Sequence, residues 1–319
     1  MTSAILTTIR AGQRFLVASH QSPDGDAIAS ILALSLFLRE QGKEVVSFNL
    51  DGVPDELAFL PGADRVVREL PEGACFDAGF VLDSGELRRA GGFLKDCCRQ
   101  LINIDHHPHS EPFGAINWVV EEACATGALV YRLIRDGGFS VSPAVAMCVY
   151  TAILSDTGSF RYSNANPEAF EIASTLVGMG ISPWMVAGQL YENRPARQLR
   201  LLSRVLDTLT VSPCGRFGSV SVTLDMFSTT GSGPEDTDGL INYPRSIRGV
   251  EVALLFRQTE SQQFKVSFRS KGQVNVGALA REFGGGGHHN AAGVVVDGAF
   301  AEVRATVLAR LNDLLPLNS

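Results

Sequence analysis

The histidines of this 319-residue chain are confined to three short segments, which is the first sign of a chemical site. They are His20, then His106, His107 and His109, then His288 and His289. Aspartates accompany the first two groups, and four glycines precede the third. Imidazole and carboxylate together suit Mn²⁺, Co²⁺, Fe²⁺ or Zn²⁺ better than Mg²⁺, which is usually held by oxygen alone. The first two groups therefore indicate a metal site.

The first segment, SHQSPDGDAIAS, places Asp24 and Asp26 between an apolar strand and a helix. Gly25 is expected to let the backbone turn, so that both carboxylates can point into one crevice. The alternative is that the two aspartates only cap the helix. Capping explains one aspartate but leaves the second and His20 without a role, so we favour a ligand site.

Two further apolar stretches also end in acidic residues. Asp83 ends FVLD, where a turn former before Ser-Gly is the stronger explanation when this residue is taken alone. Asp105 is followed by His106 and His107 in LINIDHHPHS. Neighbouring side chains at a strand end diverge, so we expect one histidine to bind metal and the other to face the substrate. His109 has no such partner and is interpreted as a loop histidine.

A fourth carboxylate, Asp156, ends a buried helix before Thr157 and Gly158, where ordinary turn chemistry is the local alternative. Four carboxylates at such positions would repel one another unless cations lay between them. Taken together they favour a site for two metal ions. The four residues are Asp24, Asp26, Asp83 and Asp156.

The third histidine segment, REFGGGGHHNAAG, is suited to binding phosphate. The glycines at 284–287 offer backbone N–H groups without obstruction, and His288 could donate to a phosphate oxygen. The alternative is a flexible linker, but the strand-like GVVVDG that follows favours a packed turn. Upstream, Arg269 and Lys271 in FRSKG are further candidate anion ligands.

The elements that must position these residues begin with alternating short apolar strands and helices, typical of an α/β fold with a parallel sheet. The pattern predicts four strands and two helices. The strands are 14–19, 43–49, 77–83 and 100–105, and the helices are an amphipathic one over 26–41 and a mostly buried one over 143–155. Open α/β sheets bind ligands at the carboxyl ends of their strands, where the aspartates lie.

The second half has a different pattern. Residues 182–209 read as a helical connector that is charged on one face and contains Pro195. Strands are predicted at 217–224, 250–258 and 264–269, before the glycine-rich loop and a terminal helix, which indicates a smaller α+β domain. We therefore expect a catalytic domain over 1–185, a connector over 186–211 and a substrate-binding domain over 212–319.

Charge and cysteine content limit the possible partners. The chain has 27 Lys and Arg against 34 Asp and Glu, a net charge of −7, which argues against a broad basic surface for long nucleic acid. Its six cysteines include no C-x-x-C pair, so we expect free thiols in a reducing cytoplasm. Neither a signal peptide nor a membrane span is indicated, and no membrane partner is expected.

In order along the chain, these segments resemble the motifs of the DHH phosphoesterase superfamily, in its branch with a DHH-associated C-terminal domain. The motifs are His20 with Pro23, Asp24, Gly25 and Asp26; Asp83; Asp105 with His106 and His107; Asp156 with Thr157 and Gly158; and GGGGHHNAAG. The two-domain length and the segments YENRPARQLRLL and NYPRSIRGVEVALLFR are similar to the NrnA-type branch of bifunctional oligoribonucleases and 3′-phosphoadenosine-5′-phosphate (PAP) phosphatases.

The resemblance implies a Rossmann-like DHH domain that binds two divalent metal ions, Mn²⁺ first, with Mg²⁺ or Co²⁺ as alternatives. It implies that His20, Asp24 and Asp83 bind one ion, and that Asp26, Asp83, His106 and Asp156 bind the other. Asp105 would orient a histidine, and His107 would contact the phosphate or protonate the leaving oxygen. The second domain would hold the substrate across a cleft with Arg269, Ser270, Lys271, Gly285, Gly286, Gly287 and His288.

The activity implied is hydrolysis of very short single-stranded RNA to mononucleotides, with PAP as a further substrate and no long duplex. A homodimer is a possible assembly. One alternative is a phosphodiesterase for linear or cyclic dinucleotides such as pApA, pGpG or c-di-AMP. Another is a pyrophosphate or polyphosphate hydrolase, against which the glycine-rich loop argues. The last is a non-catalytic nucleotide-binding module, which would be expected to have lost at least one metal ligand.

Overall fold

Two sheets organise the chain, one in each of two units that divide between Asn193 and Arg194. The computed structural model describes residues 1–287 and 289–315. His288, a predicted substrate ligand, therefore lies outside the described residues, as do residues 316–319.

The first unit contains a parallel sheet in the order β3-β2-β1-β4-β5-β6. This is the strand order of the Rossmann fold, which confirms the predicted α/β class. The strands are β1 Arg14–Ser19, β2 Glu44–Phe48, β3 Val66–Val67, β4 Ala78–Leu82, β5 Leu101–Asp105 and β6 Ile116–Val119. The short edge strands β3 and β6 were not predicted from the sequence.

Eight helices of the first unit are described. They are α1 Thr2–Ala11, α2 Gly25–Glu40, α3 Leu87–Ala90, α4 Leu94–Cys97, α5 Thr126–Asp136, α6 Pro143–Asp156, α7 Pro167–Gly178 and α8 Pro183–Tyr191. One face of the sheet packs against α1, α2, α5 and α6, and the other against the short α3 and α4.

Helix α2 corrects a prediction, because it is not amphipathic. It is buried along nearly its whole length, since it packs against the sheet, α5 and α6 at once. Apolar residues on every side of a helix are the pattern of a helix enclosed in a core. Its first turn, which carries Asp26, is thereby fixed in a dry environment.

The second unit contains a mixed sheet in the order β11-β12-β10-β9-β8-β7, in which β8 and β9 are parallel and the other pairs antiparallel. The strands are β7 Thr210–Val211, β8 Phe217–Val222, β9 Val252–Glu260, β10 Gln263–Ser270, β11 Gly286–Gly287 and β12 Ala291–Asp297. The helices are α9 Ala196–Leu206, α10 Leu224–Thr230, α11 Asn242–Ser246, α12 Val276–Glu282 and α13 Phe300–Leu314.

The faces of this second sheet are covered unequally. Helices α12 and α13 pack on one whole face, against side chains such as Phe264, Phe268 and Val294. Helices α9 to α11 cover the other face over β8 and β9. The residues predicted as a helical connector, 186–211, include the end of α8, which lies in the first unit, and α9, which lies in the second.

Within the described residues, no single helix is long and apolar enough to cross a membrane. Two consecutive helices, Pro167–Gly178 and Pro183–Tyr191, are together long and apolar enough by length and composition alone, and they are bent by 110° relative to each other.

Candidate metal centre

The candidate metal centre lies at the carboxyl edge of the parallel sheet. His20 directly follows β1, Asp83 directly follows β4, and Asp105 is the last residue of β5. The strand order reverses direction between β1 and β4, which is the switch point at which doubly wound sheets bind ligands. Asp24 and Asp26 reach this edge from the start of α2.

One group of potential ligands contains His20, Asp24 and Asp83, whose donor atoms all lie within 4.8 Å of one another. His20 Nδ1 lies 2.8 Å from the carbonyl of Gln21. A carbonyl only accepts, so Nδ1 carries the hydrogen and Nε2 is left with its lone pair, 3.8 Å from Asp83 Oδ2. Burial lowers the pKa of His20, which favours the neutral form that can bind a metal.

A second group contains Asp26, His106 and Asp156, again within 4.8 Å of one another. His106 Nε2 lies 3.8 Å from both Asp26 Oδ2 and Asp156 Oδ2, and its Nδ1 lies 3.0 Å from the carbonyl of Ala123. As in the first group, a backbone carbonyl fixes one ring nitrogen, so that the other faces the carboxylates.

Asp83 lies between the two groups. Its Oδ2 faces His20, and its Oδ1 lies 3.4 Å from His106 Nε2 and accepts a hydrogen bond of 3.0 Å from Thr126 Oγ1. Its backbone is in the left-handed region at φ 54°, an uncommon conformation for a residue other than glycine. Such conformations cluster at functional sites, where the surrounding structure enforces them.

Helix α5, which the sequence analysis did not predict, holds Asp26. The backbone N–H groups of Thr126 and Gly127 donate to its carboxylate at 2.6 and 2.9 Å, and Ser30 Oγ donates at 2.8 Å. Asp26 thus occupies the positive N-terminal end of α5. Sequence reasoning missed Thr126 and Gly127 as residues that hold Asp26, since they lie 100 and 101 residues from it in the chain.

The capping alternative is correct for one aspartate, because Asp24 Oδ1 accepts the Ala27 N–H at 3.0 Å as the N-cap of α2. The role expected of Gly25 was wrong. It is the first residue of α2 and its φ is not positive, so it makes no special turn. A Cβ there would lie 2.2 Å from Ser155 Oγ, so glycine is needed for the close approach of α2 to α6.

Asp105 is tied to His107. One carboxylate oxygen of Asp105 accepts hydrogen bonds from His107 Nδ1, at 2.8 Å, and from the backbone N–H of His106. The other oxygen accepts a hydrogen bond of 2.9 Å from the Gly85 N–H. Although burial acts to raise the pKa of Asp105, the His107 contacts lower it to about 2. The side chain of His107 is 34% exposed against 11% for His106, so His107 is the more open of the two histidines, and its Nε2 is the ring nitrogen that Asp105 does not hold.

Asp156 ends α6 and depends on a residue that the sequence analysis did not identify. Asn164 Nδ2 donates to Asp156 Oδ2 at 2.8 Å and to the carbonyl of Cys124 at 2.9 Å. The amide thus holds the carboxylate towards His106. A lone asparagine in a polar loop gives no sequence signal for such a role.

The buried carboxylates repel one another, and this repulsion shifts their pKa values. Burial and then the charge of Asp26 raise the pKa of Asp83 well above its ordinary value, and the same two causes raise the pKa of Asp156 to about 7. Burial alone would lower the pKa of His106, but its contact with Asp83 and the charges of Asp26, Asp83 and Asp156 raise it to about 10. The cluster is therefore short of positive charge.

In the second unit, the predicted phosphate-binding residues divide into two sets. Arg269 and Gly285, Gly286 and Gly287 line one open cavity of about 610 Å³. Ser270 points to the other side of β10, where its hydroxyl donates to Asn290 Oδ1 at 2.9 Å, and Lys271 Nζ donates to the carbonyl of Ile247 at 3.2 Å. The structure does not place Ser270 or Lys271 in the lining of that cavity.

Comparisons with known proteins agree with this geometry. The model of the DHH family N-terminal domain matches residues 14–153, and that of the DHHA1 domain matches residues 223–315. Over 285 residues the chain is 36% identical to the bifunctional oligoribonuclease and PAP phosphatase NrnA of Thermus thermophilus, covering 88% of this chain and 84% of that protein. It is 30% identical over 302 residues to the protein of the same name from Bacillus subtilis, covering 93% of each.

Among solved structures, an exopolyphosphatase-related protein from Bacteroides fragilis superimposes with a TM-score of 0.91 at 31% identity, covering 98% of this chain and 97% of that one. Sequence and structure therefore agree on the family over nearly the whole length. The chain belongs to the DHH family, among the members whose DHH domain is followed by a DHHA1 domain.

Proposed function

We propose that the protein is a metal-dependent phosphoesterase that hydrolyses very short single-stranded RNA to mononucleotides and removes phosphate from PAP. The observation that carries the proposal is the convergence of two groups of ligand side chains on Asp83. The names of two relatives with at least 30% identity, oligoribonuclease and PAP phosphatase, give the substrate class.

The residues present fit a pair of divalent cations. Buried carboxylates that face one another are costly unless a cation neutralises them. In the chain by itself, the raised pKa of His106 is a response to that cost. His20, Asp24 and Asp83 would hold one cation, and Asp26, Asp83, His106 and Asp156 the other. The mixed nitrogen and oxygen donors favour Mn²⁺, with Co²⁺ or Mg²⁺ as alternatives.

When bound, such a pair lowers the pKa of water and offsets negative charge on phosphoryl oxygens. The protein's own contribution is orientation. Burial alone would lower the pKa of His107, but its hydrogen bond with Asp105 and the charges of Asp83 and Asp105 raise it to about 9, so both ring nitrogens carry a hydrogen at neutral pH. Because Asp105 holds Nδ1, Nε2 is the atom that would donate a hydrogen bond to a phosphate oxygen or a proton to the leaving oxygen. The backbone N–H groups of α5 hold Asp26 in place, and Thr126 Oγ1 holds Asp83.

In the second unit, Arg269 and the backbone of Gly285 to Gly287 line one cavity and would bind phosphate there. Gly287 has φ 141°, and a Cβ at Gly285 would lie 2.3 Å from the Gly293 carbonyl, so both positions need glycine to pack against β12. The six free cysteines fit a reducing compartment, and we propose that the protein acts in the cytoplasm.

The test is a substrate panel with the purified full chain. RNA dinucleotide, trinucleotide and pentanucleotide, PAP, pGpG and inorganic pyrophosphate are each incubated with Mn²⁺, Mg²⁺ or Co²⁺, or with EDTA. We expect mononucleotides from the RNA and phosphate from PAP with metal, and neither in EDTA. Faster release from pyrophosphate than from any nucleotide, or no metal-dependent product at all, would contradict the proposal.

A further inference from the structure

The sheet of the second unit leaves part of one face uncovered. Helices α9 to α11 pack over β8 and β9, but the same face of β10 and β12 is open and forms the floor of the 610 Å³ cavity. The floor is made of alternate residues of the two strands, Lys265, Ser267 and Arg269 on β10 and Gly293 and Val295 on β12. We call this surface the β10–β12 groove.

The groove is longer than the predicted phosphate-binding loop requires. Lys265 and Arg269 are four residues apart on one strand, so their backbones are separated by about 14 Å at about 3.4 Å per residue. Side chains on a strand stand roughly perpendicular to the sheet, so the two cations mark separate positions along the groove. The glycine-rich strand β11 lies along the other side of β12 between these two positions, because Gly286 pairs with Gly293 and Gly287 with Ala292, whereas Arg269 pairs with Ala291 and Lys265 with Val295.

The floor between the two cations is flat and small. Ser267 pairs with Gly293 across the strands, and Gly293 has no side chain to rise from the sheet. Val295, beside Lys265, is 56% exposed, which is unusual for a large apolar side chain on a sheet. A flat floor with an apolar edge can take the face of a nucleobase, while the cations at either end take phosphates.

The positive charge in the groove is only partly neutralised by the protein. Desolvation raises the pKa of Asp238, and the charges of Arg257, Lys265 and Arg269 oppose that rise only in part, so one carboxylate lies near three cations. Within residues 1–287 and 289–315, neither Lys265 nor Arg269 forms a salt bridge with a carboxylate. Desolvation and the charge of Arg245 lower the pKa of Arg269. The groove therefore favours a polyanion.

We propose that the β10–β12 groove selects for oligonucleotide length, with Lys265 binding a phosphate that lies beyond the one bound near Arg269. This inference rests on the proposed function and adds a specificity residue to it. The two phosphates of PAP are carried by one ribose, so PAP cannot extend from Arg269 to Lys265. An oligonucleotide of several residues can, and it gains a contact that a dinucleotide does not make.

The experiment compares Lys265→Gln with the wild-type protein on PAP, an RNA dinucleotide and an RNA pentanucleotide. We expect KM for the pentanucleotide to rise about five- to tenfold, as for the loss of one phosphate contact, with kcat and both short substrates unchanged. The slope of log KM for the pentanucleotide against log salt should decrease by about 0.7. Arg304→Gln is the matched control, because α13 carries this cation on the opposite face of the same sheet.

A second variant, Ser267→Asp, places a negative charge on the floor and should raise KM for the pentanucleotide at least as much. Equal effects of Lys265→Gln on all three substrates, or no effect on the pentanucleotide, would overturn the inference. Binding of a fluorescein-labelled pentanucleotide in EDTA, followed by anisotropy, separates the two proposals. If the wild-type protein hydrolyses nothing, the proposed function fails, whereas weaker binding by Lys265→Gln would still support the groove.

Discussion

The two ends of strand β4 carry aspartates in opposite environments. Asp77 precedes the strand, accepts the backbone N–H groups of Gln13 and Arg14 at 2.8 and 3.0 Å, and lies 3.4 Å from the guanidinium of Arg99. The N–H groups of Arg14 and Gln13 lower the pKa of Asp77. Asp83 follows the same strand, buried among other carboxylates, and its pKa is raised.

The difference shows how a parallel sheet distributes function. At the amino edge, the protein itself supplies the donors and the cation that an ionised carboxylate needs. At the carboxyl edge, β4, β5 and the ends of α2 and α6 bring carboxylates together without enough positive charge. Two aspartates that flank one strand thus lie in different environments, and the direction of the chain decides which of them lies at the edge where such sheets bind ligands.

The largest expected effect comes from Asp83→Asn, chosen because asparagine tolerates the same left-handed backbone. We expect kcat/KM to fall by about a thousandfold or more, since Asp83 belongs to the group with His20 and also lies 3.4 Å from His106 of the other group. A carboxyl with a raised folded-state pKa costs stability above its unfolded pKa, so the metal-free variant should melt a few degrees higher than the wild type.

Activity assays and thermal melts with and without Mn²⁺ measure both effects. The wild-type Tm should rise with Mn²⁺, and the variant should lose most of that rise. Full activity in Asp83→Asn, or an unchanged response of its Tm to Mn²⁺, would show that the carboxyl edge is no different in kind from the amino edge.

Asp105→Asn should have the next largest effect, because Asp105 positions His107. Loss of a group that orients a site histidine typically costs about 10- to 100-fold. We expect the loss in kcat, with KM for a dinucleotide and the rise of Tm with Mn²⁺ largely retained. A change confined to KM would instead indicate that Asp105 acts on substrate binding.

Gly127→Ala tests the crowding that the carboxyl edge requires. A Cβ at Gly127 would lie 2.4 Å from the Cβ of Ala152 and close to Asp26 Oδ1, so we expect a loss of about 1–3 kcal/mol in the free energy of unfolding. Gly188, in α8, has open space around its Cα, and Gly188→Ala should be neutral or stabilising by up to about 1 kcal/mol. Urea unfolding of the pair measures the difference, and equal stabilities would refute the role assigned to Gly127.

Asp77→Asn should have the smallest effect, limited to stability and dependent on pH. Because the folded-state pKa of Asp77 is lowered, its contribution is present above its unfolded pKa of about 4 and is lost as the pH falls through the folded-state value. The variant should therefore melt below the wild type at pH 7, and the gap should close in acid. Loss of activity in Asp77→Asn would contradict the division between the two edges.

Much of the first unit could be predicted, because strands and helices there leave local patterns. Strand β1 has its predicted bounds, and the residues expected to bind metal lie together at one edge of the sheet. The burial of α2 on all sides could not be predicted in the same way. A helix with apolar residues on every side has no single apolar face in its sequence pattern. Gly25 was identified for the wrong reason, because a turn and a close approach of two helices can both require a glycine, and the sequence does not distinguish them.

The sequence by itself determined which carboxylates and imidazoles form the candidate centre, because each follows or precedes an element whose pattern is local. Only the tertiary structure decided how they are held. Thr126, Gly127 and Asn164 act on Asp26, Asp83 and Asp156 through hydrogen bonds that join distant parts of the chain or a loop without a distinctive pattern. It also decided that Lys265 shares an open face with Arg269, because coverage of a sheet depends on where helices from elsewhere in the chain pack.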